Sequence, residues 1–238
     1  MSSRAAHKVA IVTGASQGIG AGVVAGYRQK GYSVIATSRS IDESHDEHVI
    51  TVRGDIACPD TAERVVDEAL RRFGRIDTLI NNAGIYIGKP FTEYTVEDFQ
   101  TVVAVNLAGF FHMTTRAIGH MADGGRGHIV NVSTTLVEHA NAAVPAALAT
   151  LTKGGLAAVT RSLAIEYASR NVRVNAVSLG VIKTPMYDED AYAAIAALHP
   201  IGRAGDVADV VRGLMYLESA TFVTGETLHI DGGQSAGH

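Results

Sequence analysis

"KVAIVTGASQGIG" (residues 8–20) sets a short apolar run directly before glycines at positions 14, 18 and 20. A short apolar run without polar alternation reads as a strand covered on both faces. The glycines let the chain turn tightly, let its backbone approach a pyrophosphate, and let the next helix pack on the strand with its N-terminus toward the phosphates. A glycine triplet alone is a weak signal, because any tight strand-to-helix turn can hold one. Its position at the opening of the first strand–helix–strand unit makes Gly14, Ser16, Gln17, Gly18, Ile19 and Gly20 a candidate dinucleotide-binding turn.

The same alternation continues to the end of the chain. Further apolar runs are "SVIATS" (33–38), "VITVRG" (49–54), "DTLINNAG" (77–84), "HIVNVST" (128–134), "VRVNAVS" (172–178) and "ETLHIDGG" (226–233). Helical stretches are expected near 18–30, 59–73, 95–120, 145–169 and 206–219. No linker, repeat or change of composition divides them. The expected fold class is α/β: one domain over residues 1–238, a Rossmann-like doubly wound parallel sheet of about seven strands with helices on both faces. A closed eight-stranded barrel usually needs a longer chain.

Composition narrows the partners. The formal net charge of -4, without a Lys/Arg cluster, leaves no electrostatic footprint for nucleic acid. The apolar stretch around Ala140–Ala158 is interrupted by Pro145, Lys153 and two glycines, so no membrane span is expected. The N-terminal residues run into a strand without a signal-peptide pattern, and a cytoplasmic protein is expected. The single cysteine, Cys58 beside Pro59, excludes an internal disulfide and reads as a structural residue at a helix start. "SHDEH" (44–48) reads as a solvated turn rather than a metal site, because its ligands are adjacent instead of spaced along one face.

The second strand ends "IATSRS", with Ser38 and Arg39 and no acid before Asp42. A carboxylate there would hold the adenosine ribose, whereas an arginine favours a 2'-phosphate, so NADPH/NADP+ is expected over NADH. Gln17 stands where a basic residue would strengthen that reading. The segment Asn141–Ala168 is Ala-rich and apolar on more than one side. Such a helix must be buried all round. This points either to a helix-to-helix subunit contact, hence a homo-oligomer (dimer or tetramer), or to a small-residue helix lying close to the sheet.

"TGASQGIG", "GDI" (54–56), "NNAG" (81–84), "VNLAG" (105–109), "TKGGLAAVTRSLAIEYA" (152–168), "VRVNAVSLG" (172–180) and "HIDGG" (229–233), in this order, resemble the motifs of the short-chain dehydrogenase/reductase family. The resemblance covers essentially the whole chain. It implies that Asp55 holds the adenine amino group with Ile56 beside it, and that Asn82, Ala83 and Gly84 line the cofactor path. Gly180, Ile182 and Thr184 would meet the nicotinamide end, and Lys153 the nicotinamide ribose.

In that family a dinucleotide delivers hydride while a tyrosine protonates oxygen, a serine holds the carbonyl and an asparagine keeps a water chain behind the lysine. Mapped by resemblance, Asn106 and Lys153 are present, and the serine position falls at Thr134, with Ser133 as the competing choice. The tyrosine position is Ala149, and no tyrosine lies between Ile118 and Glu166. Leu179 stands where the family commonly has proline. The segment from Thr134 to Lys153 is slightly longer than the family pattern.

Losing a positioned general acid costs about 10²- to 10⁴-fold, or roughly 3 to 5 kcal/mol of barrier. Three replacements are open: His139 (or Glu138) in "TTLVEHA", a substrate that takes its proton from water, or Lys153 passing a proton through an ordered water beside Ala149. After Thr184-Pro185, where the resemblance implies a substrate lid, Met186, Tyr187, Tyr192 and Ile195 would either present an apolar surface to a substrate or pack a short helix. The expected function is NADPH-dependent reduction of a carbonyl, imine or activated double bond of a small molecule. The alternative is an NADP-binding sensor or structural subunit without turnover.

Overall fold

The computed structural model describes residues 7–185 and 196–237. The expected lid residues Met186, Tyr187, Tyr192 and Ile195 lie outside them. Seven strands, β1 (Val9–Thr13), β2 (Ser33–Ser38), β3 (Val49–Arg53), β4 (Thr78–Asn81), β5 (Gly127–Thr134), β6 (Val172–Leu179) and β7 (Thr227–Ile230), form one sheet. Its order is β3-β2-β1-β4-β5-β6-β7, and every neighbouring pair is parallel. The chain winds outward from β1 to β3, then returns to place β4 on the other side of β1. That reversal opens a crevice at the carboxyl ends of β1 and β4, where doubly wound sheets take their ligands.

Alternate residues of each strand feed two cores. Val9 and Ile11 join α2 (Pro59–Phe73), α4 (Gly109–Asp123) and α5 (Ala147–Tyr167) on one face. Ala10 and Val12 join α1 (Gly18–Gln29) and a last helix, α6 (Val207–Ser219), on the other. The 59–73 helix has the expected bounds because Pro59 occupies its first turn and Gly74, at φ 72°, ends it in a left-handed cap.

Other boundaries differ from the sequence reading. The run 77–84 is strand only as far as Asn81, because Asn82 turns to bond the end of β1. The run 226–233 is strand only through Ile230, because the Asp231 carboxylate gathers the amides of Gly233 and Ser235 into a turn. The segment 95–120 comprises α3 (Val96–Val103), a π-helical turn (Ala104–Ala108) and α4. Cys58 precedes α2 as expected, but it is exposed and fills no core. Helix α5 buries Ala149, Thr152, Leu156 and Thr160 while leaving Leu151 and Ile165 exposed, so the single chain does not cover it on all sides.

The amino-end edge of the sheet is closed by one carboxylate. Glu218, in the last turn of α6, accepts hydrogen bonds from the hydroxyls of Tyr27 (3.2 Å), Tyr32 (2.7 Å) and Thr78 (3.0 Å), and from His128 Nδ1 (2.9 Å). Asn175 Nδ2 donates to His128 Nε2 (3.1 Å), which places the imidazole proton on Nδ1. Burial holds His128 below its ordinary 6.5, so it is neutral in the fold. Burial alone would raise Glu218, but the donors from His128, Tyr32 and Thr78 outweigh it and lower its pKa to about 2.

Both groups favour the same direction. A folded pKa below the unfolded one means stability present at higher pH and lost on acidification. Stability should therefore decline as pH falls below about 6.5 for His128 and further from 4.5 toward 2 for Glu218. Glu218→Ala leaves four buried donors without their acceptor and should cost about 3 to 5 kcal/mol in urea unfolding at pH 7. A loss below about 1 kcal/mol would show that the cluster does not anchor the fold.

Candidate functional site

The turn after β1 is built for close approach. Gly14 and Gly18 have φ of +65° and +55°. A Cβ on Gly20 would stand 2.1 Å from the Gly14 carbonyl oxygen, so no side chain fits where α1 meets the turn. A Cβ on Gly14 would stand 2.9 Å from Ala83 Cα. Asn82 Nδ2 donates to the carbonyls of Thr13 (2.9 Å) and Gly14 (3.2 Å). In return the amides of Asn82 (3.0 Å) and Ala83 (2.9 Å) donate to Thr13 Oγ1. These bonds stitch the ends of β1 and β4 together. No side chain caps α1, and its first turn carries no acid, so its leading amides remain open to an anion.

Above this turn lies a cleft of about 230 Å³. Gly14, Ser16, Gln17, Ser38, Arg39, Asp55, Ile56, Ala83 and Gly84 line it, all of them sequence candidates. Gly20 and Asn82 lie in the wall rather than on its surface. Ser38 and Arg39 stand at the end of β2 with Ser40, whose amide bonds Ser38 Oγ (3.3 Å). Asp55 accepts the Ala57 amide through Oδ1 (2.9 Å). Thr37, Gly54, Ile85 and Val105 also line the cleft and were not legible as candidates. The buried Thr37 Oγ1 has no hydrogen-bond partner among the described residues. A cleft with bare glycine backbone, an uncapped helix start and Arg39 in its lining fits a dinucleotide phosphate.

At the opposite end, Lys153 Nζ donates to the Val132 carbonyl (2.7 Å) and lies against Gly84, where a Cβ would come within 2.9 Å of it. Burial pushes its pKa down to about 8. The neighbouring hydroxyls divide their tasks. Ser133 is buried and donates to the Lys153 carbonyl (3.4 Å), whereas Thr134 Oγ1 only accepts the Leu136 amide (3.4 Å) at the end of β5. Asn106 sits in the π turn with its side chain fully engaged. It accepts the Ile85 amide (2.9 Å) and donates to the Ile85 carbonyl (3.1 Å) and Thr152 Oγ1 (3.1 Å).

On the loop after Thr134, the amide of His139 donates to the Thr135 carbonyl (2.9 Å), and Glu138 pairs with His229 of β7. Thr184 packs on Gly18, and Ile182 bridges to Gly205, which brings the 180–184 loop against the start of α1. His199, absent from the sequence candidates, holds that loop. Its Nε2 accepts the Val181 amide (3.0 Å) beside Gly180. A lone histidine next to proline carries no pattern that would have shown this. Among the described residues no group of His, Cys, Asp and Glu is placed to hold a metal ion.

Residues 14–235 match the family model described as enoyl-(acyl carrier protein) reductase. The chain is 35% identical to 3beta-hydroxysteroid dehydrogenase 1 of Eggerthella lenta over 96% of this chain and 94% of that protein. Among solved structures it is similar to ElxO with NADP bound (TM-score 0.91, 28% identity, 97% of this chain and 100% of that one). It is also similar to the 3-ketoacyl-(acyl-carrier-protein) reductase of Brucella melitensis complexed with NADH (TM-score 0.89, 30% identity, 96% and 98%). The chain belongs to the short-chain dehydrogenase/reductase family of oxidoreductases.

Gly20→Ala tests the turn directly. It should weaken NADPH binding by at least roughly tenfold, about 1.4 kcal/mol, in a fluorescence titration on protein whose circular dichroism confirms folding. Unchanged affinity in a folded variant would show that the pyrophosphate does not lie at this turn.

Proposed function

We propose that this protein is an NADPH-dependent reductase that delivers hydride to a carbonyl, imine or activated double bond of a small molecule, using a proton donor other than a tyrosine at position 149. The observation that carries the reading is one continuous cleft. Arg39 and Ser38 stand at one end, and Lys153 lies behind Gly84 at the other. NADPH, when bound, supplies the hydride. Arg39 and Ser38 would hold its 2'-phosphate, Asp55 and Ile56 its adenine, and Gly14, Ser16, Gln17, Gly18 and Ile19 its pyrophosphate. Asn82, Ala83 and Gly84 shape the path toward Gly180, Ile182 and Thr184. Solved relatives carry either NADP or NADH, and Arg39 without a preceding acid favours the phosphorylated form.

Lys153, with a pKa of about 8, is mostly charged at neutral pH and would bind the nicotinamide ribose hydroxyls. Thr134 would orient the substrate oxygen. Its Oγ1 already accepts the Leu136 amide, which leaves the hydroxyl proton to donate, whereas the Ser133 proton is spent on the Lys153 carbonyl. Asn106 acts through Ile85 and Thr152 as a positioning residue. His139 is the sequence candidate for the proton donor, its backbone anchored one short turn beyond Thr134.

The assay is NADPH oxidation with a panel of ketones, imines and conjugated alkenes. Turnover with at least one acceptor is expected, and Arg39→Ala should reduce the NADPH-over-NADH preference about tenfold, or 1.4 kcal/mol. NADPH binding without oxidation by any acceptor would contradict the reductase reading, and an unchanged ratio the NADP assignment.

We further propose a cytoplasmic homo-oligomer, a dimer or tetramer, that covers Phe111 of α4 and Leu151 and Ile165 of α5, each more than half exposed in the single chain. No helix among the described residues is long and apolar enough to cross a membrane. Sedimentation equilibrium should give a multiple of the chain mass that falls in Leu151→Asp with Ile165→Asp. A single-chain mass for the unaltered protein would contradict the assembly.

A further inference from the structure

We propose that Tyr86 supplies the phenol that position 149 lacks and is the group that protonates the substrate oxygen. The inference rests on the reductase reading above.

The clamp on its neighbour Ile85 and two contacts of its own ring and hydroxyl fix Tyr86. Its neighbour Ile85, which lines the cleft, is held at both its amide and its carbonyl by Asn106 (2.9 and 3.1 Å). Asn106 is 1% exposed and is itself braced by Thr152, the residue preceding Lys153 in α5. A side-chain amide that clamps both backbone groups of one residue leaves little freedom to the residue that follows. At its far end, Tyr86 Oη donates to the Pro145 carbonyl (2.9 Å). Pro145 lies two residues before α5 begins and four before Ala149, so the hydroxyl sits at the mouth of the helix from which the missing tyrosine would project. Gly88 makes room for it, since a Cβ there would come within 2.6 Å of Oη and 3.0 Å of Cζ.

The position also suits proton transfer. A Cβ on Gly84, two residues before Tyr86, would stand 2.9 Å from Lys153 Nζ, so one short loop joins the surroundings of the ammonium to the phenol. The phenol proton is given to a backbone carbonyl, a neutral acceptor that a substrate carbonyl can replace without leaving a charge unpaired. The Tyr86 side chain is not buried. NADPH, when bound, would supply the hydride to the carbonyl carbon, and the carbonyl π electrons would move onto oxygen. The Tyr86 O–H bond would break as an O–H bond forms on that oxygen, and the tyrosinate would regain its proton from a solvent hydronium ion. One hydride and one solvent proton thus convert the carbonyl to the alcohol, and the phenol is restored.

Tyr86→Phe keeps the ring over Gly88 and removes only the hydroxyl. With the ketone that the unaltered enzyme reduces best, kcat should fall about 10²- to 10⁴-fold while the NADPH dissociation constant stays within about twofold. Adding Ala149→Tyr to Tyr86→Phe should restore part of the loss, which repair of a merely structural defect at the loop would not do. A readout without turnover accompanies these: ultraviolet difference titration of the unaltered protein against Tyr86→Phe. Tyr86 should ionise at lower pH with NADP+ present than without it, because the cationic nicotinamide would lie near the phenol.

Undiminished kcat in Tyr86→Phe, or a tyrosinate titration indifferent to NADP+, would each overturn the assignment and leave the reductase reading intact. Failure of the unaltered protein to turn over any acceptor would instead overturn both.

Discussion

The contact on which the rest depends is the approach of α1 to the end of β1, close enough that the Gly14 carbonyl occupies the space of any side chain at position 20. That approach fixes the direction of α1 and aims its unbonded amides across the carboxyl edge of the sheet. Thr13 and Gly14 on one side and Asn82 and Ala83 on the other make the arrangement rigid through four hydrogen bonds between the ends of β1 and β4. Because β1 and β4 are neighbours only where the winding reverses, the same bonds hold the crevice open. Topology places the cleft there, and these few polar contacts give it its floor.

The two edges of the sheet use polar groups in opposite ways. At the amino edge they satisfy one another: Glu218 accepts from four buried donors. At the carboxyl edge the engaged side chains build walls, and their neighbours keep capacity. Asn82 is engaged and Gly84 is bare; Ser133 is engaged and Thr134 keeps a proton; Asn106 is engaged and Tyr86 is held at the far end of the loop it clamps. Lys153 belongs to both groups, bonded to Val132 yet brought by burial to a pKa of about 8. The chemistry proposed for the site follows from this division more than from the identity of any one residue.

The parts of the fold that repeat were legible in the sequence. Residues 33–38 and 59–73 take the expected forms because apolar continuity, Pro59 and Gly74 are local signals that tertiary contacts do not override. The glycine turn was legible because glycine is required there sterically. Strand ends at Asn81 and Ile230 were not, since each is set by a side chain that turns back to bond a distant backbone or a following turn. The bounds of the π turn at Ala104–Ala108 leave little trace in the pattern, because one added residue hardly disturbs a helical period, although Asn106 as a plug in a helix bulge is one reading of that position. Thr13, Thr37, His199 and Tyr86 went unseen for a common reason: each acts singly, through a partner 18 or more residues away or through its place on the cleft wall.

A crystal structure of the complex with NADPH would show whether a dinucleotide lies along the carboxyl edge of the sheet with its pyrophosphate on the start of α1. Phosphate density is expected within hydrogen-bond distance of the amides between Ser16 and Gly20, with the nicotinamide ribose reaching Lys153. Density at any other surface, or a nicotinamide directed toward Arg39 instead of Lys153, would contradict that placement.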